Sequence, residues 1–223
     1  MREVVLDTET TGLSPEEGHR IVEIGCLELI NHLPTGRKFH SYLNPDRDIP
    51  VEATAIHGLA HKDLLGQPRF ADQVEPFLRF IGDDTLVIHN AGFDLNFLNA
   101  ELDRLSLALI EPNRAVDTLL LARQKFPGSP ASLDALCKRF SINNSMRARH
   151  GALLDADLLA QVYVELIGAR QTTLGFAAES PGRPGGRQIP RVPRVPREHL
   201  PSDAEVTRHK ALLAKLRKPI WLS

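Results

Sequence analysis

The sequence predicts an α/β domain, a mixed β-sheet flanked by α-helices, followed by a flexible C-terminal tail. Three observations predict it. Across the first ~170 residues, runs of β-branched and aliphatic residues alternate with segments of helical periodicity. Three strand-like runs come before that alternation begins, which suits a mixed sheet with helices packed against it rather than a purely parallel one. After Ile167 the texture changes: between Pro181 and Pro201 there are six Pro, three Gly and five Arg in 21 residues, a composition unable to build a core.

The strand candidates are 3–7, 20–30, 37–43, 85–89 and a short one at 114–117, with turn residues between them. In "ADQVEPFLRFI", Val74, Phe77, Leu78 and Ile81 fall at i, i+3, i+4 and i+7, one face of a helix. "FDLNFLNAELDRL" repeats the pattern with Phe93, Phe97, Leu98, Leu102 and Leu105. "SLDALCKRF" opens on the N-cap candidate Ser132 and turns Leu133, Leu136, Cys137 and Phe140 inward. "LLDADLLAQVYVELI" forms a last long helix. Beyond the Pro/Gly/Arg linker, "SDAEVTRHKALLAKLRKPIWLS" regains helical character at Leu212, Leu213 and Leu216 and ends near the only tryptophan, Trp221. A short amphipathic segment on a tether docks to a partner or is a frayed terminus.

Composition bounds the function. The 223 residues allow one sizeable domain with something appended. No apolar run reaches the ~18 residues of a membrane span, and the N-terminus lacks a signal-peptide core, so a cytoplasmic, non-membrane protein is expected. Cys26 and Cys137 show no metal spacing and read as buried free thiols. The net charge of −1 hides an asymmetry: residues 177–223 carry +6 and the preceding body −7. An acidic body does not grip nucleic acid by phosphate contacts alone, so action on DNA would need metal ions or a partner to supply attraction.

The chemistry begins in "VVLDTETTGL". In extended chain Asp7 and Glu9 share a face, with Thr8 on the other. Two carboxylates at the end of a buried strand repel and are costly to desolvate. No Lys or Arg lies within the stretch, and hard carboxylate oxygens suit magnesium or manganese; solvated strand-end acids are the bland alternative. "LVIHNAGFD" reads as strand, tight turn and helix, which puts Asp94 in the first helical turn near the same sheet end. In "RHGALLDAD", His150 precedes Asp155 by five residues, about 140° apart on a continuous helix. A break at Gly151 would let His150 swing toward the face that bears Asp155. Four acids and a histidine suit two-metal phosphoryl chemistry, with the imidazole as proton acceptor. Singly, Asp155 could be a helix N-terminal dipole partner and His150 a polar residue beside a cap.

"LDTETTGL", "HNAGFD" and "HGALLDAD" resemble, in order and content, the three motifs of the DEDDh 3′→5′ exonucleases, which have an RNase H-like fold. The resemblance spans residues 3–168. In a related subfamily a tyrosine four residues before the last acid replaces the histidine; that position here is Gly151, which indicates the histidine type. The resemblance implies two divalent cations, Mg²⁺ or Mn²⁺: Asp7, Glu9 and Asp155 on the catalytic ion, Asp7 and Asp94 on the second, His150 as general base. It also implies that Glu52 and His57 contact the terminal nucleotide, although Glu52 could lie in a surface loop and His57 in a turn. Thr10, Thr11 and Gly12 would form the turn beside the metals, close to substrate. Asn90 either orients that turn or caps the helix of Asp94, and Asp117 either supports the ligands or caps the helix after it.

"HGALLDA", "SLDAL" and "KFPG" are most similar to the proofreading branch of that family, which serves bacterial DNA polymerase III. "QTTLGF", residues 171–176, resembles a sliding-clamp-binding peptide, with Gln171 for a polar subsite and Leu174 and Phe176 for a hydrophobic pocket. The expected division is therefore an exonuclease domain (1–170), a clamp peptide (171–176), a linker (177–200) and a polymerase-binding tail (201–223) with Leu212, Leu216 and Trp221 as contacts. The implied partners are single-stranded or frayed primer-terminus DNA, the polymerase catalytic subunit and the clamp. RNA-trimming exonucleases of the same fold (RNase T-like or oligoribonuclease-like) and a non-catalytic clamp–polymerase adaptor are the alternatives. The C-terminal 50 residues argue against the first, and the complete set of acids and histidine against the second.

Overall fold

A computed structural model describes residues 1–145, 147, 149–169 and 200–215. The chain divides into two units, Met1–Leu174 and Gly175–Ser223. In the second, the described element is a helix, Asp203–Leu213, opened by a capping box in which Ser202 and Glu205 bond each other's backbone N–H groups. Leu212 is exposed on it. The clamp peptide with Gln171, Leu174 and Phe176, nearly all of the linker, and Leu216 and Trp221 lie outside the described residues.

The first unit is a five-stranded sheet in the order β3-β2-β1-β4-β5. Strands β1 (Arg2–Thr10), β2 (Ile21–Ile30) and β3 (Leu33–Tyr42) form an antiparallel meander. Strands β4 (Thr85–Ile88) and β5 (Ala115–Asp117) add in parallel on the far side of β1. All five strand candidates are present, so the mixed sheet expected from three leading strands is what forms. The helices are α1 (Val51–His57), α2 (His61–Leu64), α3 (Phe70–Ile81), α4 (Ala91–Arg104), α5 (Thr118–Lys125), α6 (Leu133–Arg139) and α7 (Ala152–Leu166).

Strand periodicity sorts the core into two layers. Val4 and Leu6 of β1 join Leu86 and Ile88 of β4 in one cluster with Phe77, Phe97 and Leu98 of α3 and α4. Val5 and Val87 point the other way, into a cluster with Leu136, Leu159 and Val162 of α6 and α7. The central strand is therefore covered on both faces, which is why it reads as a continuous apolar run. By the same alternation Asp7 and Glu9 share the α7 side with Val5, and Thr8 shares the α4 side with Leu6. Both cysteines are buried free thiols, as their settings indicate.

Strand β2 and helix α7 touch backbone to backbone. Gly25 lies opposite Asp7 in the register. A Cβ added there would come within 2.3 Å of Leu153 N and 2.4 Å of Ala152 C, where no side chain can yield. Gly25→Ala is therefore expected to push α7 off the sheet and cost about 1–3 kcal/mol or more. Denaturant unfolding and nuclease assays would check this: wild-type stability together with wild-type activity would show that α7 is not seated by this contact.

Candidate active site

The acids gather at the C-terminal end of β1. Thr8, facing α4, donates from its backbone N (3.0 Å) and its hydroxyl (2.7 Å) to Oδ1 of Asp94, in the first turn of α4. That helix is itself pinned. Asn90, in the left-handed conformation at φ 66°, and Ala91 donate their N–H groups to the two oxygens of Asp117 at 3.2 and 3.1 Å. The same carboxylate accepts from Leu119 N (2.8 Å) and Leu120 N (3.3 Å), so Asp117 caps α5 while anchoring the start of α4. Asn90 occupies the N-cap position of α4 without a side-chain capping bond; it supplies the turn's backbone geometry instead.

Asp155 reaches the same place from the other layer. Gly151, extended at φ −159°, interrupts the chain before α7 begins at Ala152. His150 thus leaves the helical path and lies with Nδ1 3.3 Å from Asp155 Oδ2. Arg147 contacts both: its guanidinium forks onto Asp155 (Nε to Oδ1 2.5 Å, Nη2 to Oδ2 2.6 Å), and it also donates to Asp134 Oδ1 at 2.7 Å. Asp155 is buried and His150 is 46 % exposed.

Beside the acids is a cleft of about 440 Å³ with apolar walls from Leu13, Pro50, Ala53, Ile56 and Phe93, and with Glu9, Glu52 and His57 at its polar positions. Glu52 and His57 lie on α1, in place of the loop and turn weighed for them, and Gly58 ends that helix in the left-handed conformation. Glu52 is exposed, and His57 is buried. His57 Nδ1 accepts from Leu59 N at 3.0 Å, so the neutral ring carries its proton on Nε2, a buried atom with no well-formed partner among the described residues. Burial lowers the pKa of His57, against support from the Thr10 backbone. Thr10 and Thr11 line the cleft but spend their hydroxyls locally, Thr10 on Gly12 O (2.6 Å) and Thr11 on Arg20 N (3.0 Å) and His19 Nδ1 (3.0 Å). The Thr11 N–H is likewise held, by Arg20 O at 2.9 Å.

The electrostatics show a deficit of positive charge. Burial pushes Glu9 up to about 8, with Asp155, Glu23 and Asp94 adding to it and Arg147 opposing. Burial also raises Asp94, to about 7, although both bonds from Thr8 pull the other way. Asp7 is held well above the carboxylate range by burial and by Asp94, Glu9 and Asp155. One ligand atom each from Glu9, His150 and Asp155 lies within 4.8 Å of the others, with Asp7 alongside. Hard oxygen donors at this density, raised by mutual repulsion, fit a divalent cation.

Residues 4–163 match the exonuclease family. A DNA polymerase III subunit epsilon of Rickettsia typhi is 46% identical over 223 residues, covering 97% of each chain. The corresponding subunit of Escherichia coli K12 is 42% identical over 229 residues, covering 97% of this chain and 94% of that one. The chain belongs to the exonuclease family, among its DNA polymerase III epsilon subunits. Its enzyme class is thus 3′→5′ exonuclease. Among solved structures, Exonuclease X in complex with 5′ overhanging duplex DNA shares the fold at a TM-score of 0.61 and 27% identity, covering 75% of this chain and 92% of that one. The nuclease domain of 3′hExo, a DEDDh family member bound to rAMP, does so at 0.61 and 19%, with the same coverage. No described helix is long and apolar enough to cross a membrane.

All four acids and His150 meet at this sheet end. Arg147 is the participant that sequence reasoning missed. The basic run around His150 was the available signal, since arginines just before an acid-bearing helix are placed to reach back onto it. The raised carboxyls also carry a consequence for stability. Glu9 and Asp94 bind protons more tightly folded than unfolded, so between about pH 4.5 and 8 the native state holds more protons and stability must fall as pH rises. Without divalent ions, melting temperature is therefore expected to decline from pH 5.5 to 8.5, and saturating Mg²⁺ should flatten the decline. Thermal melts in EDTA and in Mg²⁺ check it; a metal-free curve that is flat or rising would show that the carboxyls are already neutralised.

Proposed function

We propose that this chain hydrolyses the 3′-terminal phosphodiester of DNA and releases 5′-mononucleotides, as the proofreading subunit of a replicative DNA polymerase. The convergence of Asp7, Glu9, Asp94, Asp155 and His150 at one sheet end, beside a cleft large enough for a nucleotide, carries this reading. In it Asp7, Glu9 and Asp155 hold one divalent cation, and Asp7 and Asp94 a second, either Mg²⁺ or Mn²⁺. When bound, the ions supply charge neutralisation at the phosphate and an acidified water.

The chain's own groups do the rest. Leu13, Ile56 and Phe93 offer apolar surface to a terminal base and sugar. The Nε2–H of His57, fixed as a donor by the bond from Leu59, seeks an acceptor on the terminal nucleotide, and Glu52 supplies an acceptor across the cleft. The Thr10–Thr11 backbone borders the path to the scissile bond. His150, accessible on the rim, takes the proton from the attacking water.

The frayed 3′ end of a primer is the substrate this arrangement suits, because the cleft and the acids adjoin and share Thr8, Glu9 and Phe93. Residues 171–176 read as a clamp-binding peptide, 177–200 as a tether by composition, and 201–223 as the segment that holds the polymerase catalytic subunit. Such tethering raises effective concentration, so a weak clamp contact through Gln171, Leu174 and Phe176 can still act.

With Mg²⁺ or Mn²⁺, mononucleotides should leave a labelled single-stranded DNA from its 3′ end alone. His150→Gln should lower kcat by ~10²–10⁴ and flatten the rising limb of the pH–rate profile. An unchanged profile in the folded variant, with chemistry rate-limiting, would remove His150 from the role of base. Deleting residues 200–223 should abolish stable association with the polymerase while leaving activity on free single strands intact. Co-purification that survives the deletion, or activity that does not, would refute the division between catalytic domain and tail.

A further inference from the structure

A buried cation sits among the proposed ligands without a place in the scheme above. The Arg147 side chain is only 6 % exposed, and every contact it makes in the site consumes a lone pair, because a guanidinium can donate but not accept. Its fork takes one lone pair from each oxygen of Asp155, at 2.5 and 2.6 Å. Nη2 also lies 2.9 Å from His150 Nδ1, which must then accept, so the neutral ring keeps its proton on Nε2. One side chain therefore occupies both oxygens of a proposed metal ligand and the free lone pair of the proposed base. Nη1 is held separately, by Asp134 Oδ1 at 2.7 Å on the outer side of the site, where that carboxylate is 59 % exposed.

We propose that Arg147 is an internal counter-cation that competes with the divalent ion for Asp155, and that loading the site moves the guanidinium off both Asp155 and His150. This rests on the reading that Asp155 holds a cation. A divalent ion on either Asp155 oxygen would come within a few ångströms of a fixed positive charge in a poorly solvated site, where like charges repel strongly. Asp134 gives the displaced guanidinium a place to stay: Arg147 can keep that solvent-facing bond while releasing the inner ones. The same displacement frees His150 Nδ1, so the base becomes available only when the acid beside it has exchanged its partner. As a positioning residue, Arg147 thus keeps the crowded carboxylates folded and holds the base silent until the ion arrives.

The test is calorimetric titration of the full chain with Mn²⁺, comparing wild type with Arg147→Gln and Arg147→Lys, with circular dichroism to verify folding. Arg147→Gln should bind Mn²⁺ at least ten-fold more tightly than wild type. Arg147→Lys should fall between them, since an ammonium can hold one oxygen but cannot fork. Adding Asp155→Asn to Arg147→Gln should abolish the gain. Equal or weaker binding by folded Arg147→Gln would overturn the proposal and leave the metal reading standing, whereas no binding by any of the three proteins would overturn both. If Arg147→Gln does not fold without the ion, Arg147→Lys decides: affinity several-fold above wild type supports competition, and affinity equal or lower refutes it.

Discussion

Carboxylates crowded at the end of a strand covered on both faces are the constraint around which the rest of this domain is arranged. Val4, Val5 and Leu6 are wholly inaccessible, and the next residues along the strand are Asp7, Thr8 and Glu9. A strand covered on both faces cannot turn its polar end to bulk water, so charge must be met by fixed groups. Two helix N-termini are brought there, α4 with Asp94 and α7 with Asp155 in their first turns, where unpaired N–H groups favour negative charge. The Thr8 amide and hydroxyl add two donors to Asp94, and Arg147 adds its fork to Asp155. Even so, Glu9, Asp94 and Asp7 keep raised pKa values, so the fold concentrates more negative charge than it neutralises.

Three other buried acids show that this is a local choice. Glu3 accepts from the Tyr163 hydroxyl at 2.6 Å and lies 2.7 Å from His32 Nδ1. Glu28 accepts from Arg2 (2.6 Å), Arg37 (2.8 Å) and Thr35 (2.7 Å), and its pKa is lowered, chiefly by the bond from Arg2. Glu101 meets Arg20 in a bidentate pair at 2.6 and 2.7 Å. Each carries a complete set of partners from the chain, as a buried structural charge requires. The acids at the end of β1 differ in kind because their mutual repulsion is not cancelled, and an incomplete set is what a site for an added cation needs. Satisfaction of partners, rather than burial, separates these structural acids from Asp7 and Glu9, while Asp155 shares their paired state through the Arg147 fork.

Much of this was legible because it is local. The period-two alternation of β1 placed Asp7 and Glu9 on one face, and the glycine before α7 placed His150 off the helix; both are properties of a few consecutive residues. Helix α1 was not legible as a helix. Its seven residues begin after Pro50 with no side-chain cap, and Val51 and Ile56 are exposed rather than turned to a core, so no amphipathic stripe announces it. Arg147 was signalled only by the basic run before α7: the stretch around Asp7 contains no basic residue, and nothing near it says that its cation arrives from a loop 140 positions later. Asp117 was read as either a ligand support or a cap. Its double duty at α4 and α5 depends on β4 and β5 being parallel neighbours, which no local pattern encodes.

That dependence on distant contacts also ties the nucleotide cleft to the proposed base. The loop before α7 rests on the end of α1: His150 N donates to Ile56 O at 3.2 Å, and the Arg149 side chain lies across Gly58. Gly58 has φ +80°, a conformation that glycine adopts without strain, and a Cβ there would meet Arg149 Cδ and Nη1 at 2.6 Å. The backbone that ends α1 is thus the seat of His150, while the same helix turns Ile56 and His57 into the cleft. In the proposed reading, a terminal nucleotide held against Ile56 and His57 would touch the same short helix whose end accepts from His150 N. One hydrogen bond and one glycine thus join the wall of the cleft to the loop that carries His150, so both depend on the same piece of backbone packing.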